Sequence, residues 1–94
     1  MKISGIIWLD DIVEKLREKH HVRRDEVRET LANRPHFRRV EKGHRPGEDV
    51  YSASGQTDDG RCMIVFFVHK RNGRALILSA RDMTRSERRQ HERR

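Results

Sequence analysis

Ninety-four residues suffice for one hydrophobic core and are too few for two, so a single domain over residues 1–94 is expected. Only 33% of the residues are hydrophobic and 39% are charged, which leaves room for a small core because the apolar residues cluster rather than scatter. Lys and Arg number 22 against 15 Asp and Glu, a net charge of +7 that suits a polyanion such as nucleic acid, or else a solvated basic surface.

Residues 3–9 read as a first strand, with Ile6, Ile7 and Trp8 favouring extended backbone and no helical period. The apolar run is too short for a secretory signal or a membrane span. Asp10 or Asp11 offers an N-cap, and Leu9, Ile12, Val13, Leu16 and His20 then share one face of a helix ending near Lys19. A second helix is expected over residues 25–33, where Asp25 and Glu26 suit the N-terminal dipole and Val27 pairs with Leu31; Arg34-Pro35 ends it. Residues 36–41 form a short strand, and residues 42–47 form a loop.

Residues 50–57 alternate in polarity and lead through Asp58-Asp59-Gly60 into the apolar run at residues 62–68, expected as the central strand. Lys70-Arg71-Asn72-Gly73 turns the chain into a strand over residues 74–80. Thr84-Arg85-Ser86-Glu87 has capping-box spacing and opens a last helix, whose arginine-rich continuation to Arg94 has no apolar face, so that its distal part is expected to be mobile. The fold class is α+β: an N-terminal strand, two helices, an antiparallel sheet and a C-terminal helix. Cys62 lies within the central apolar run and reads as a core residue; a single cysteine forms no disulfide framework, which favours the cytoplasm.

The segment from Leu78 to Arg89 resembles the closing signature of BrnT-family toxins: a strand ending in Ser79-Ala80-Arg81, then a Thr84-capped helix containing Glu87-Arg88-Arg89. Lys19-His20 with Val22, Gly47-Glu48 with Tyr51, and Gly55, Thr57 and Gly60-Arg61 before the apolar strand resemble three further family elements in the same order. The resemblance covers nearly the whole chain. It implies a RelE-like fold, ribonuclease activity that slows translation, a BrnA-like antitoxin as neutralising partner, and operator DNA contacted only through the antitoxin complex. Three positions depart from the family pattern: His21 stands for a usual Gly, Asp49 for a common Arg, and Arg23 for a Ser or Thr cap.

RNA cleavage without a metal needs a group to take the 2′-hydroxyl proton, donors for the phosphorane charge and an acid for the departing 5′-oxygen. His20 matches the family's His and reads as a proton carrier or as a packing residue. Arg81, ending a strand beside a helix N-terminus, reads as a phosphate fork or as an ion-pair partner of Glu48 or Glu87. Arg61 reads as a phosphate contact or a solvated charge beside a turn, and Glu48 as a base, an orienter of Arg81 or an ion-pair member. The catalytic candidates are therefore Arg81, His20, Arg61 and Glu48, with Lys19, Arg85 and Arg88 along the RNA path. Glu87 reads chiefly as a cap, and Tyr51 and Trp8 as core residues or base-stacking platforms. His20, His21, His36 and Cys62 lack zinc spacing, and no Gly-rich phosphate loop is present, so no metal and no cofactor are expected. Two other readings stay open: a nucleic-acid-binding module without catalysis, and a domain that only captures an antitoxin.

Overall fold

The computed structural model describes residues 1–93; the expectation for the arginine-rich tail extends to Arg94, which lies outside the described residues. In chain order the elements are β1 (Gly5–Ile7), α1 (Asp10–His20), α2 (Arg24–Ala32), β2 (His36–Glu41), β3 (Val50–Gln56), β4 (Cys62–His69), β5 (Arg74–Asp82) and α3 (Arg85–Glu92). This is the expected α+β arrangement. The five strands form one sheet in the order β1-β5-β4-β3-β2, so the apolar strand β4 is central. From β1 at one edge, α1 and α2 carry the chain across one face to β2 at the far edge. An antiparallel meander then returns it to β5, which pairs with β1 in parallel. The expected antiparallel meander runs from β2 to β5, and the sheet is mixed because β1, whose pairing the sequence left unassigned, joins β5 in parallel.

The first strand is shorter than residues 3–9 because Leu9 already serves as the N-cap of α1, with Asp10 and Asp11 inside the first turn near its positive dipole end. At the other end His21 adopts the left-handed conformation, φ 52°, and both its amide and that of Val22 donate to the Leu16 carbonyl. A histidine thus performs the turn for which glycine is better suited. The amide of Arg23 donates to the Glu26 carboxylate at 3.0 Å, which satisfies the start of α2 without a Ser or Thr. Gly73, φ 86°, lets the β4–β5 turn lie against Ser4, whose amide donates to the Gly73 carbonyl at 2.9 Å; a Cβ there would meet Ser4 Oγ at 2.9 Å.

The core lies between the helices and one face of the sheet. Leu16, Val22 and Val27 pack on Ala53, Met63, Val65, Phe67, Ala75, Ile77 and Ala80. Tyr51 stacks on Phe67 at 6.0 Å and Phe37 meets the same ring edge-on at 6.1 Å, while Trp8 packs against this cluster. Both Trp8 and Tyr51 are thus placed against the core.

Alternation assigns the other face. Met63, Val65 and Phe67 point to the helices, so Ile64 and Phe66 point away; Ala53 points in, so Ser52 and Ser54 point out. In β5 the phase changes. Phe66 pairs with Ser79 and Phe67 with Ile77, leaving Leu78 as an extra residue in a bulge. Without it, the sequence of inward residues Ala75 and Ile77 would continue through Ser79 and Arg81. With it, Ala80 turns inward and Arg81 turns to the outer face.

Candidate active site

The outer face carries two rows of side chains set by strand register. One runs His36, Ser54, Ile64, Arg81, and the other Arg38, Ser52, Phe66, Ser79. One side of α3, from Glu87 to His91, flanks this face. Together they enclose a cleft of about 360 Å³ lined by both rows except Ser79, and by Arg39, Val40, Glu87, Gln90 and His91. His36 and Arg81 stand three strands apart, roughly 14 Å between backbones.

Arg81 is oriented from α3. Its Nη1 and Nη2 donate to the two Glu87 carboxylate oxygens at 2.7 and 3.0 Å, and Nη1 also donates to the Asp82 carbonyl at 3.1 Å. This end-on pairing leaves the edge formed by Nε and the second Nη2 proton without a protein partner among the described residues. The guanidinium lies 5.6 Å from the centroid of Phe66. Glu87 also closes the helix cap: its carboxylate accepts from the Thr84 amide at 2.7 Å while the Thr84 hydroxyl accepts from the Glu87 amide at 3.2 Å. The Arg81 fork, above all, holds the Glu87 carboxyl down to about 2, and the same pair raises the Arg81 pKa. Arg38 has no ion-pair partner among the described residues, so the cleft contains a second, uncommitted guanidinium.

Arg61 is placed differently. Nε and Nη2 grip the Asp82 carboxylate at 2.6 and 3.2 Å; Nη1 donates to Glu26 and to the His21 carbonyl, and Nη2 to the His20 carbonyl. These bonds engage every N–H of the guanidinium, so a phosphate could be held only at the expense of this network. The Asp82 hydrogen bond is the main cause of a raised Arg61 pKa, and Arg61 in turn holds Asp82 below the usual carboxylate range. Arg61 thereby ties the end of α1, the start of α2 and the end of β5 together on the helix-covered side.

His20 and Lys19 end α1 at this junction, His20 half-buried and Lys19 exposed. Neither they nor Arg61 line the Arg81 cleft. Glu48 lies farther away, in the loop between β2 and β3, beside Lys70, Arg71 and Asn72 at the opposite end of β5, roughly 20 Å from Arg81. Arg85 and Arg88 lie exposed on α3 around a shallow depression with Arg89 and Glu92. Asp49 closes its own loop, accepting from the Gly43 amide at 2.7 Å and standing 3.8 Å from Arg39.

Of the sequence candidates, then, the cleft holds Arg81 alone, with the capping residue Glu87. Its other polar members, His36, Arg38, Arg39, Ser52, Ser54, Gln90 and His91, were not singled out for this chemistry. The signal for them was the period of two along β2 and β3, which puts His36 with Arg38 and Ser52 with Ser54 on common faces.

Residues 8–87 match the family model of BrnT, the ribonuclease toxin of type II toxin–antitoxin systems. The chain belongs to the BrnT family. The match begins just ahead of α1 and ends at Glu87, so it contains the whole sheet apart from β1, the Leu78 bulge and the Arg81–Glu87 pair. BrnT proteins are ribonuclease toxins, and a type II system pairs each toxin with a protein antitoxin. No curated protein matches the chain. Among the described residues no helix is long and apolar enough to cross a membrane.

Proposed function

We propose that this BrnT chain cleaves RNA without a metal ion in the cleft on the outer sheet face, and that the cleavage slows translation. The observation that carries this reading is the pairing of an oriented guanidinium, Arg81, with the uncommitted Arg38 across a floor of Ser52, Ser54 and Phe66. The open Nε–Nη2 edge of Arg81 suits two phosphate oxygens, and Arg38 supplies further charge as the phosphorane forms. Glu87 is a positioning residue. Among the described residues the only carboxylate lining the cleft is Glu87, already spent on Arg81 and Thr84, whereas a hard divalent cation favours several oxygen ligands. The exposed Arg85 and Arg88 extend the basic path along α3, with Lys19 a more distant contact. We assign Arg61 and His20 to the support of the fold and Glu48 to its loop.

A BrnA-like antitoxin would neutralise the toxin, operator DNA would be reached only through that complex, and both would act in the cytoplasm. A second reading, a domain that binds an antitoxin or nucleic acid without cleaving, draws on the occupation of the Arg81 fork by Glu87. Cleavage of end-labelled single-stranded RNA in excess chelator separates the two. The wild type should cleave, and Arg81→Ala and Arg38→Ala should each lose on the order of 10²-fold. Cleavage that requires added Mg²⁺, or that survives both substitutions, contradicts the proposal; binding without cleavage supports the second reading.

A further inference from the structure

The guanidinia of Arg38, Arg39 and Arg81 account for charge in the cleft but not for proton movement, because an arginine keeps its proton at any pH a cell reaches. Two imidazoles line the same cleft. His36 comes from β2, at one end of the row that ends in Arg81, and His91 comes from the last turn of α3. Nδ1 of His91 is buried and has no hydrogen-bond partner among the described residues, which leaves Nε2 as the nitrogen able to exchange a proton with a bound molecule. A buried polar atom without a partner is costly, and such atoms concentrate where function retains them.

Resting on the ribonuclease reading above, we propose that His36 and His91 are the general acid–base pair of the cleavage, with His91 lying beyond the family match, which ends at Glu87. One imidazole, neutral, takes the proton of the 2′-hydroxyl as the 2′-oxygen bonds to phosphorus. The other, as imidazolium, gives a proton to the 5′-oxygen as the phosphorus–O5′ bond breaks. The products are a 2′,3′-cyclic phosphate and a 5′-hydroxyl, with no external reactant. Arg81 and Arg38 meet the charge on the non-bridging oxygens.

The charged and titratable groups around the pair are Arg38 and Arg39 on β2, Arg81 on β5 and Glu87 on α3. Beyond the cleft, His91 also faces Arg34, after α2, and Asp58, after β3. The cleft residues contributed by β3 and β4 are neutral. Among the described residues, cations therefore outnumber carboxylates around the cleft.

The test uses the full chain with His36→Gln and His91→Gln, each first shown by thermal unfolding to be folded. Two RNAs are cleaved across a pH series: an ordinary strand, and one whose scissile 5′-oxygen is replaced by sulfur, a leaving group that needs no acid. Each variant should cleave ordinary RNA at least 10²-fold more slowly than the wild type, which should give a bell-shaped pH profile and cyclic-phosphate ends. The variant lacking the acid should regain most of its rate on the sulfur substrate, and the variant lacking the base should not. Wild-type cleavage with both variants within a few-fold of it overturns the histidine assignment and leaves the cleft reading intact. Loss in both variants with no rescue in either overturns the acid–base roles. A wild type that cleaves neither RNA overturns the ribonuclease reading and this proposal with it.

Discussion

Arg61 and Arg81 are both arginines at strand ends, and their hydrogen bonds give them different work. Arg61 spends all its donors inside the protein and faces Glu26, a carboxylate that is only 10% exposed and would be left without its cationic partner if the guanidinium were removed. Arg61→Ala should therefore destabilise the fold by about 3 kcal/mol, read as a lowered denaturation midpoint at unchanged m-value. A midpoint within measurement error of the wild type would show that the network adds nothing. Arg81, by contrast, holds Glu87 with one edge and leaves another without a protein partner among the described residues. Because the folded-state carboxyl of Glu87 is lowered from 4.5 to about 2, its stabilisation is complete above about pH 4.5 and is lost as pH falls toward 2. Both partners are about a third exposed, so the pair contributes about 1 kcal/mol. Glu87→Gln should lower the unfolding temperature by a constant amount from pH 7 to about 4.5, with the gap closing below that; a gap that widens on acidification contradicts the assignment.

Among the elements, β5 carries the least expected feature. Its alternation, read straight from the sequence, turns Ser79 and Arg81 toward the core; the Leu78 bulge reverses this and delivers Arg81 to the cleft. A bulge is set by pairing with a neighbouring strand, so nothing local in residues 74–82 announces it. Deleting Leu78 should restore the uninterrupted phase, drive Arg81 against the helices and abolish cooperative unfolding. A deleted chain that unfolds cooperatively and still cleaves RNA would remove the bulge from the account. The helices were more legible. Apolar spacing placed α1 and α2 to within a residue or two, and Thr84 with Glu87 marked the start of α3 through cap chemistry that is local in sequence. The length of β1 was less so, because Leu9 caps α1 with backbone alone and leaves no side-chain signature.

In the molecule as a whole, the family was legible because its motifs are short and ordered along the chain, and residues 8–87 match it. Of the cleft proposed as the site, the sequence singled out only Arg81 and its partner Glu87. Motif residues such as Lys19, His20 and Arg61 come together, but at the junction of α1, α2 and β5, on the side opposite the cleft. The cleft itself is assembled across four strands and α3 by register, which depends on the loop between β2 and β3 and on two bulges. The measurement that discriminates between the two faces is a titration of the labelled toxin with a single-stranded RNA blocked by 2′-O-methyl groups, followed through backbone amide resonances. Shifts concentrated at His36, Arg38, Ser52, Ser54, Phe66 and Arg81, with Leu16, Glu26 and Val27 undisturbed, are the predicted result. Shifts concentrated instead around His20, Glu26 and Arg61, with the outer sheet face silent, would contradict it.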